Sequence, residues 1–79
     1  MSGNTDTEFL VRNEQQFGPA LREFRQRAGI RQGDLAVQLD LHRSYLSALE
    51  NGRSNTAMRS LLRAYRELGL EVIVRPRQT

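Results

Sequence analysis

Two short amphipathic segments joined by a tight turn constrain this chain more than any other feature of its sequence. Apolar side chains at helical spacing predict one helix over roughly 32–39 and another over roughly 43–51. A turn around Asp40-Leu41 separates them, with Leu41 filling the turn. The expected inward residues are Leu35, Ala36 and Leu39 in the first helix and Leu46 and Leu49 in the second. This arrangement is the geometry of a helix-turn-helix.

The outward face of the second helix carries side chains that are short or cationic. They are Arg43, Ser44, Ser47 and Ala48, with His42 at the helix start. In helix-turn-helix proteins the second helix enters the major groove of DNA, where short side chains allow close approach to base edges. Arginine can also bind guanine through two hydrogen bonds. We therefore expect Arg43 to read a base or bind a phosphate.

The charge of the chain favours a polyanionic partner. All twelve basic residues are arginine, and nine acidic residues leave a net charge of +3. The charge is uneven, because residues 16–79 carry eleven arginines against six acidic residues, a net of +5. A compact basic domain of this kind most often binds nucleic acid.

The flanking sequence suggests one domain with short ends. We expect a flexible tail over 1–12, the helix-turn-helix domain over 13–69, a strand over 70–75 and a tail over 76–79. The first helix starts either near 14, where Asn13 and Gln16 fit a capping box, or near 18, where Pro19 fits a first turn. One face of that helix has apolar residues at steps of four, three and four: Phe17, Leu21, Phe24 and Ala28.

A fourth helix and a strand follow the turn at Asn51-Gly52. The helix has an apolar stripe that is either core or dimer surface, formed by Met58, Leu61, Leu62, Tyr65 and Leu68. After Gly69 the pattern alternates, which predicts a single strand. A lone strand needs a partner, either residues 9–11 or the same strand of a second copy. For the second alternative, the dimerisation residues are Val72, Ile73 and Val74.

Length and composition exclude several other classes of protein. The chain has 79 residues, no cysteine and a single histidine, which excludes disulfides, thiolate metal sites and multi-histidine zinc sites. No nucleophile and base stand at a recognisable spacing, so we expect neither an enzyme nor a cofactor. Without a membrane-length apolar run or a signal-peptide pattern, we expect a cytoplasmic, nucleoid-associated protein.

The residues of this motif resemble the Cro/phage-repressor, or XRE-like, type of helix-turn-helix domain. The resemblance covers about residues 17–69 and is carried by Gln32, Leu35-Ala36, Tyr45-Leu46-Ser47 and Leu49-Glu50-Asn51-Gly52. The flanks are most similar to HipB-type antitoxins, because the stretch from Glu50 to Val74 reads through without a gap. The resemblance implies a mainly α, four-to-five-helix lambda-repressor-like domain. A short C-terminal β-strand would pair across a dimer.

The same resemblance implies roles for individual residues. Gln32, Asn51 and Arg53 fall where members of the family touch phosphates. Base-reading positions of the family correspond to His42, Arg43, Ser44, Ser47 and Ala48. Tyr45 is expected to cover the edge of the core while its hydroxyl group reaches a phosphate. Glu50 is expected to pair with an arginine rather than to act as a catalytic acid.

Two positions depart from the pattern of the family. Arg31 stands where a serine or threonine cap is usual, so the second helix loses roughly 1 kcal/mol of capping. Asp40 replaces the usual glycine of the turn. Aspartate tolerates the left-handed conformation better than most residues, so we expect the motif to persist.

The function implied is a sequence-specific transcriptional repressor that reads an inverted-repeat operator as a homodimer. The HipB-like flanks further imply an autoregulating antitoxin of a HipBA-type toxin-antitoxin pair, whose partner would be a HipA-like serine/threonine kinase. Two alternatives remain at this point. One is a phage-type or controller-type repressor without a toxin. The other is a protein-interaction module that neutralises a toxin and binds DNA only secondarily.

Overall fold

The computed structural model describes residues 7–77 and contains four helices and two short strands. In chain order these are β1 (Phe9–Val11), a 3-10 turn (Glu14–Gln16), α1 (Phe17–Arg27), α2 (Gln32–Leu39), α3 (Arg43–Glu50), α4 (Thr56–Glu67) and β2 (Val72–Val74). This mainly helical fold, with a helix-turn-helix at α2 and α3, confirms the fold class expected from the sequence. Residues 1–6 of the expected N-terminal tail and residues 78–79 of the C-terminal tail lie outside the described residues.

The start of the first helix combines features of both predicted alternatives. The Asn13 side chain accepts a hydrogen bond from the amide of Gln15, and Gln16 Oε1 accepts one from the amide of Asn13, which completes the capping box. The 3-10 turn then runs directly into α1 at Phe17. Pro19 is the third residue of α1. An N–H at this position would have no intrahelical acceptor, so proline loses no hydrogen bond there.

Small residues, rather than the apolar stripe, form the packed face of α1. Gly18 and Ala20 are buried, whereas Leu21 is 37% exposed. A Cβ atom on Gly18 would lie 1.6 Å from the carbonyl oxygen of Leu49, so only glycine allows α1 and α3 to approach this closely. The stripe of larger side chains lines an open groove beside the sheet, formed by Phe17, Leu21, Phe24, Ala28, Val74 and Pro76.

The core is centred on Leu46 of α3, which is fully buried. The other buried apolar residues are Val11, Ala20, Ala36 and Leu62. Burial of Ala36 and Leu46 agrees with the inward faces expected for α2 and α3, but Leu39 is 49% exposed and the expectation that it faces inward is wrong. Asp40 adopts φ 56° and ψ 44°, the left-handed turn conformation that the motif requires.

The strand of the C-terminal segment finds its partner within the chain. β1 and β2 are antiparallel, with Leu10 opposite Ile73 and Val11 opposite Val72. Residues 9–11, predicted both as part of a flexible tail and as one of two possible partners of this strand, are therefore part of the sheet. Because β2 pairs with β1, it does not need a second copy of the chain as its partner. The dimerisation role of Val72, Ile73 and Val74 stays a prediction. In the two-stranded sheet of residues 7–77, β2 still has one edge without a neighbouring strand.

Candidate nucleic-acid interface

The start of α3 carries an exposed polar surface. His42, Arg43, Ser44 and Tyr45 are exposed, while Ser47 and Ala48 are half-buried one turn later. Leu46 and Glu50 on the opposite side of the helix are buried and fix its orientation against the domain. α3 therefore presents the expected base-reading positions at its surface, with the first turn the most accessible part.

A buried ion pair between α1 and α3 lies directly behind this surface. Arg25 Nε lies 2.6 Å from Glu50 Oε2, and a second nitrogen of the same guanidinium donates to Glu50 Oε1 at 2.9 Å. A third donates to the carbonyl oxygen of Ile30 at 2.8 Å. The hydrogen bond from Arg25 holds the pKa of Glu50 below its usual value, although burial of the carboxylate opposes this shift. The pair confirms the structural role expected of Glu50.

Gln32 connects the buried carboxylate to Arg43 at the surface. Its Nε2 donates to Glu50 Oε1 at 3.0 Å, and its Oε1 accepts from Arg43 Nε at 3.3 Å. Within residues 7–77, neither of the two terminal nitrogens of Arg43 makes a hydrogen bond. Gln32 thus orients Arg43 while the end of the guanidinium stays free to bind an acceptor.

Four of the predicted site residues meet in one polar depression. Gln32, Arg43, Ser47 and Asn51 line it together with Glu50 and two arginines of α1, Arg22 and Arg25. Arg22 and Arg25 were not among the residues predicted for the interface. Their spacing of three residues, which puts both on one face of α1, was the available signal. Three guanidinium groups against one carboxylate leave the depression positively charged, which suits a phosphate group.

Tyr45 and Arg53 form a second, separate contact. The guanidinium carbon of Arg53 lies 6.0 Å from the centre of the Tyr45 ring, within the range of a cation–π interaction. Tyr45 is 45% exposed, so part of its side chain meets solvent, and its predicted contact with a phosphate stays a prediction. Arg53, Tyr45, His42, Ser44 and Ala48 do not line the depression.

The first turns of α2 and α3 present backbone amides without side-chain caps. Arg31 and His42 occupy the N-cap positions, and neither side chain makes a capping hydrogen bond. Loss of a cap at Arg31 was expected from the sequence, and the structure agrees. The first amides of a helix have no intrahelical acceptor, and the positive end of the helix dipole favours anions there.

Metal-binding clusters and membrane-spanning helices are both absent from the part of the chain that the structure describes. Between residues 7 and 77, no group of three or more His, Asp or Glu side chains could hold a metal ion. None of the helices in that range has the length and apolar character needed to cross a membrane.

Comparison with known proteins agrees with this geometry. The family model described as a helix-turn-helix domain matches residues 16–72, which is 57 of the 79 residues and includes all four helices. No curated protein and no solved structure matches the chain. The match covers the exposed start of α3 and the polar depression beside it. The chain therefore belongs to the helix-turn-helix domain family, a family of DNA-binding regulators.

Proposed function

We propose that this protein is a sequence-specific transcriptional repressor that reads an inverted-repeat operator as a homodimer. The observation that carries the proposal is the chain of hydrogen bonds from buried Glu50 through Gln32 to Arg43. It holds one arginine at the start of the recognition helix with its terminal nitrogens free. A guanidinium held in this way suits the O6 and N7 acceptors of guanine in the major groove. The proposed function is binding without catalysis.

The surrounding residues support a division between base and phosphate contacts. Ser44, Ser47, Ala48 and His42 lie beside Arg43 as further base-reading candidates. Asn51 lines the positive depression, where a phosphate would also meet Arg22, and Gln32 lies beside them and orients Arg43. Arg53, stacked on Tyr45, is a candidate for a second phosphate. Phosphate contacts fix the position of a protein on DNA, and base contacts specify the sequence.

The test is a footprint and a salt titration on the DNA just upstream of the gene, with a scrambled duplex as control. We expect two protected half-sites about 34 Å apart, or a multiple of that distance. Operator affinity should exceed the affinity for scrambled DNA by about 10³-fold or more. Equal, weak and steeply salt-dependent binding to both duplexes would contradict sequence-specific recognition.

Three arginine variants separate the proposed contacts. Arg43→Ala should weaken operator binding by about 1–3 kcal/mol and relax specificity at one base pair. Arg53→Ala should weaken binding to all sequences and reduce the salt slope by about one. Arg27→Ala is the matched control, because Arg27 pairs with Glu23 and stacks on Phe24, outside the proposed interface.

An antitoxin role is a second candidate function. It rests on the resemblance to HipB-type antitoxins. It is supported by the apolar groove on α1, where Leu21 is 37% exposed and which Arg27 and Arg75 also line. A HipA-like kinase would be the partner, and an autoregulating antitoxin would also repress its own operon. A phage-type or controller-type repressor would have no such partner.

The neighbouring reading frame and a binding assay distinguish these roles. A kinase-like gene overlapping this one favours the antitoxin, whereas an integrase or restriction gene favours a phage-type or controller-type repressor. If the adjacent product binds this chain, Leu21→Glu should weaken that complex and leave operator binding unchanged. Val37→Glu, at a 79% exposed site on α2, is the control for an added surface charge.

A further inference from the structure

Helix α4 has a second apolar face that the rest of the described chain does not cover. Leu61 is 56% exposed and Leu68, which caps the helix, is 74% exposed. Ala57 and Ala64 are also exposed. These four residues, here called the α4 stripe, follow one another at steps of four, three and four, so they form one line along the helix. Residues 7–77 leave this line open to solvent.

The α4 stripe is distinct from the face that attaches α4 to the domain. Leu62, the buried residue of α4, lies about 130° around the helix axis from the middle of the stripe at 100° per residue. Arg59 pairs with Glu14, and Arg66 donates to the carbonyl oxygen of Arg12, so both of these arginines extend toward the domain. The stripe itself contains no charged residue in a chain that has twelve arginines.

The order of large and small residues in the stripe identifies its occupant. Read forward the stripe is Ala, Leu, Ala, Leu, and read backward it is Leu, Ala, Leu, Ala. In an antiparallel pair related by a two-fold axis between Leu61 and Ala64, every leucine therefore faces an alanine. We propose that the α4 stripe binds the α4 stripe of a second copy of this chain in that antiparallel register.

The neighbouring positions are compatible with the same register. Ser60 would face Tyr65 of the second copy, and Glu67 would face Met58 of the second copy. Arg59 falls level with Arg66 of the second copy in this register, but both side chains extend toward their own domains and away from the stripe, so these like charges do not meet across the axis. A two-fold interface uses the same patch on both copies, so a self-complementary stripe is what such an interface requires.

This inference rests on the proposed function, because a two-fold dimer is what an inverted repeat needs. It also identifies a dimer surface other than β2. β2 is already paired with β1, whereas the α4 stripe has no partner among residues 7–77. Its length of about 16 Å, at 1.5 Å per residue, makes a small interface. We therefore expect a dimer whose dissociation is measurable at ordinary protein concentrations.

The first experiment measures self-association of the full chain by sedimentation equilibrium. Leu61→Glu and Leu68→Glu should each raise the dimer dissociation constant by at least about tenfold, because each would bury a charge against alanine. Val37→Glu should leave it unchanged. Both stripe positions are exposed, and thermal unfolding of each variant checks that the fold is retained. A wild-type chain that stays monomeric, alone and on operator DNA, would overturn the proposal.

The second experiment tests the register by disulfide cross-linking. The chain has no native cysteine, so only the introduced cysteines can form disulfides. In the antiparallel pair, residues 57 and 68 of different copies are adjacent, but the two copies of residue 57 are about 16 Å apart along the axis. A disulfide requires Cα atoms within about 7 Å. Mixing Ala57→Cys with Leu68→Cys chains should therefore give a mixed disulfide dimer, and each variant alone should give little. Efficient cross-linking of Ala57→Cys alone would contradict the register.

The outcomes separate this inference from the proposed function. A dimer that depends on Leu61 but protects no operator half-sites would refute the repressor and retain the interface. Symmetric operator protection that survives Leu61→Glu would retain the repressor and refute the interface. Dissociation of the dimer by Ile73→Glu but not by Leu61→Glu would move the interface to the edge of the sheet and overturn the proposal.

Discussion

Glu50 accepts hydrogen bonds from Arg25 on one side and from Gln32 on the other while its side chain is only 2% exposed. The first contact ties α1 to α3, and the second extends to Arg43 at the start of the recognition helix. One buried carboxylate therefore contributes to the stability of the fold and to the orientation of the proposed reader. Changes at Glu50 should affect both properties.

The stability of the domain should fall when the charge of Glu50 is removed. Glu50→Gln keeps the size of the side chain but weakens charge-assisted hydrogen bonds, so we expect a loss of about 2 kcal/mol in the free energy of unfolding. Urea denaturation at neutral pH measures it. Glu23→Gln is the control, because Glu23 pairs with Arg27 four residues away at the surface and should change stability by less than about 0.5 kcal/mol.

Acid should destabilise the domain partly through the same carboxylate. The hydrogen bond from Arg25 lowers the pKa of Glu50 in the folded state, so the unfolded chain binds this proton more readily. The contribution of Glu50 is fully present above the unfolded pKa of roughly 4.3 and is lost as pH falls through the lower folded pKa. Urea midpoints measured below pH 5 should fall less steeply for Glu50→Gln than for the wild type. Equal slopes would contradict this role.

Local signals in the sequence predicted most of the fold. The capping box at Asn13 and Gln16 and the left-handed turn at Asp40 each depend on residues within a few positions. The bounds of α2 follow from the same short-range periodicity. Such features are readable because the chemistry that forms them is contained in one turn of helix.

Contacts between distant segments of the chain could not be predicted from the sequence. Leu39 was expected to face inward but is half-exposed, because burial depends on which helix packs against a face and not on the face alone. The pairing of β1 with β2 stayed open for the same reason. Arg22 was not predicted as an interface residue, since its position in the depression depends on how α1 packs against α3.

Gly18 should be among the positions least tolerant of change. Gly18→Ala would place a Cβ atom 1.6 Å from the carbonyl oxygen of Leu49, so α1 and α3 must move apart. We expect a loss of about 3 kcal/mol or more, at the upper end of overpacking effects. Gly33→Ala is the matched control, because its Cβ would have only Arg43 Cδ nearby at 3.9 Å and alanine favours the helix. Thermal unfolding should show Gly33→Ala equal to or above the wild type.

The base specificity of operator binding should reveal whether Gln32 acts through Arg43. If Gln32 orients Arg43, Gln32→Ala should relax base preference at the same operator position as Arg43→Ala, and by less. The double variant should bind like Arg43→Ala alone, because Gln32 has nothing left to orient; the coupling energy between contacting residues of this kind is about 0.5–3 kcal/mol. Competition binding to operators with single base-pair changes measures it. Additive losses, or a loss by Gln32→Ala that is uniform across sequences, would show instead that Gln32 contacts a phosphate independently of Arg43.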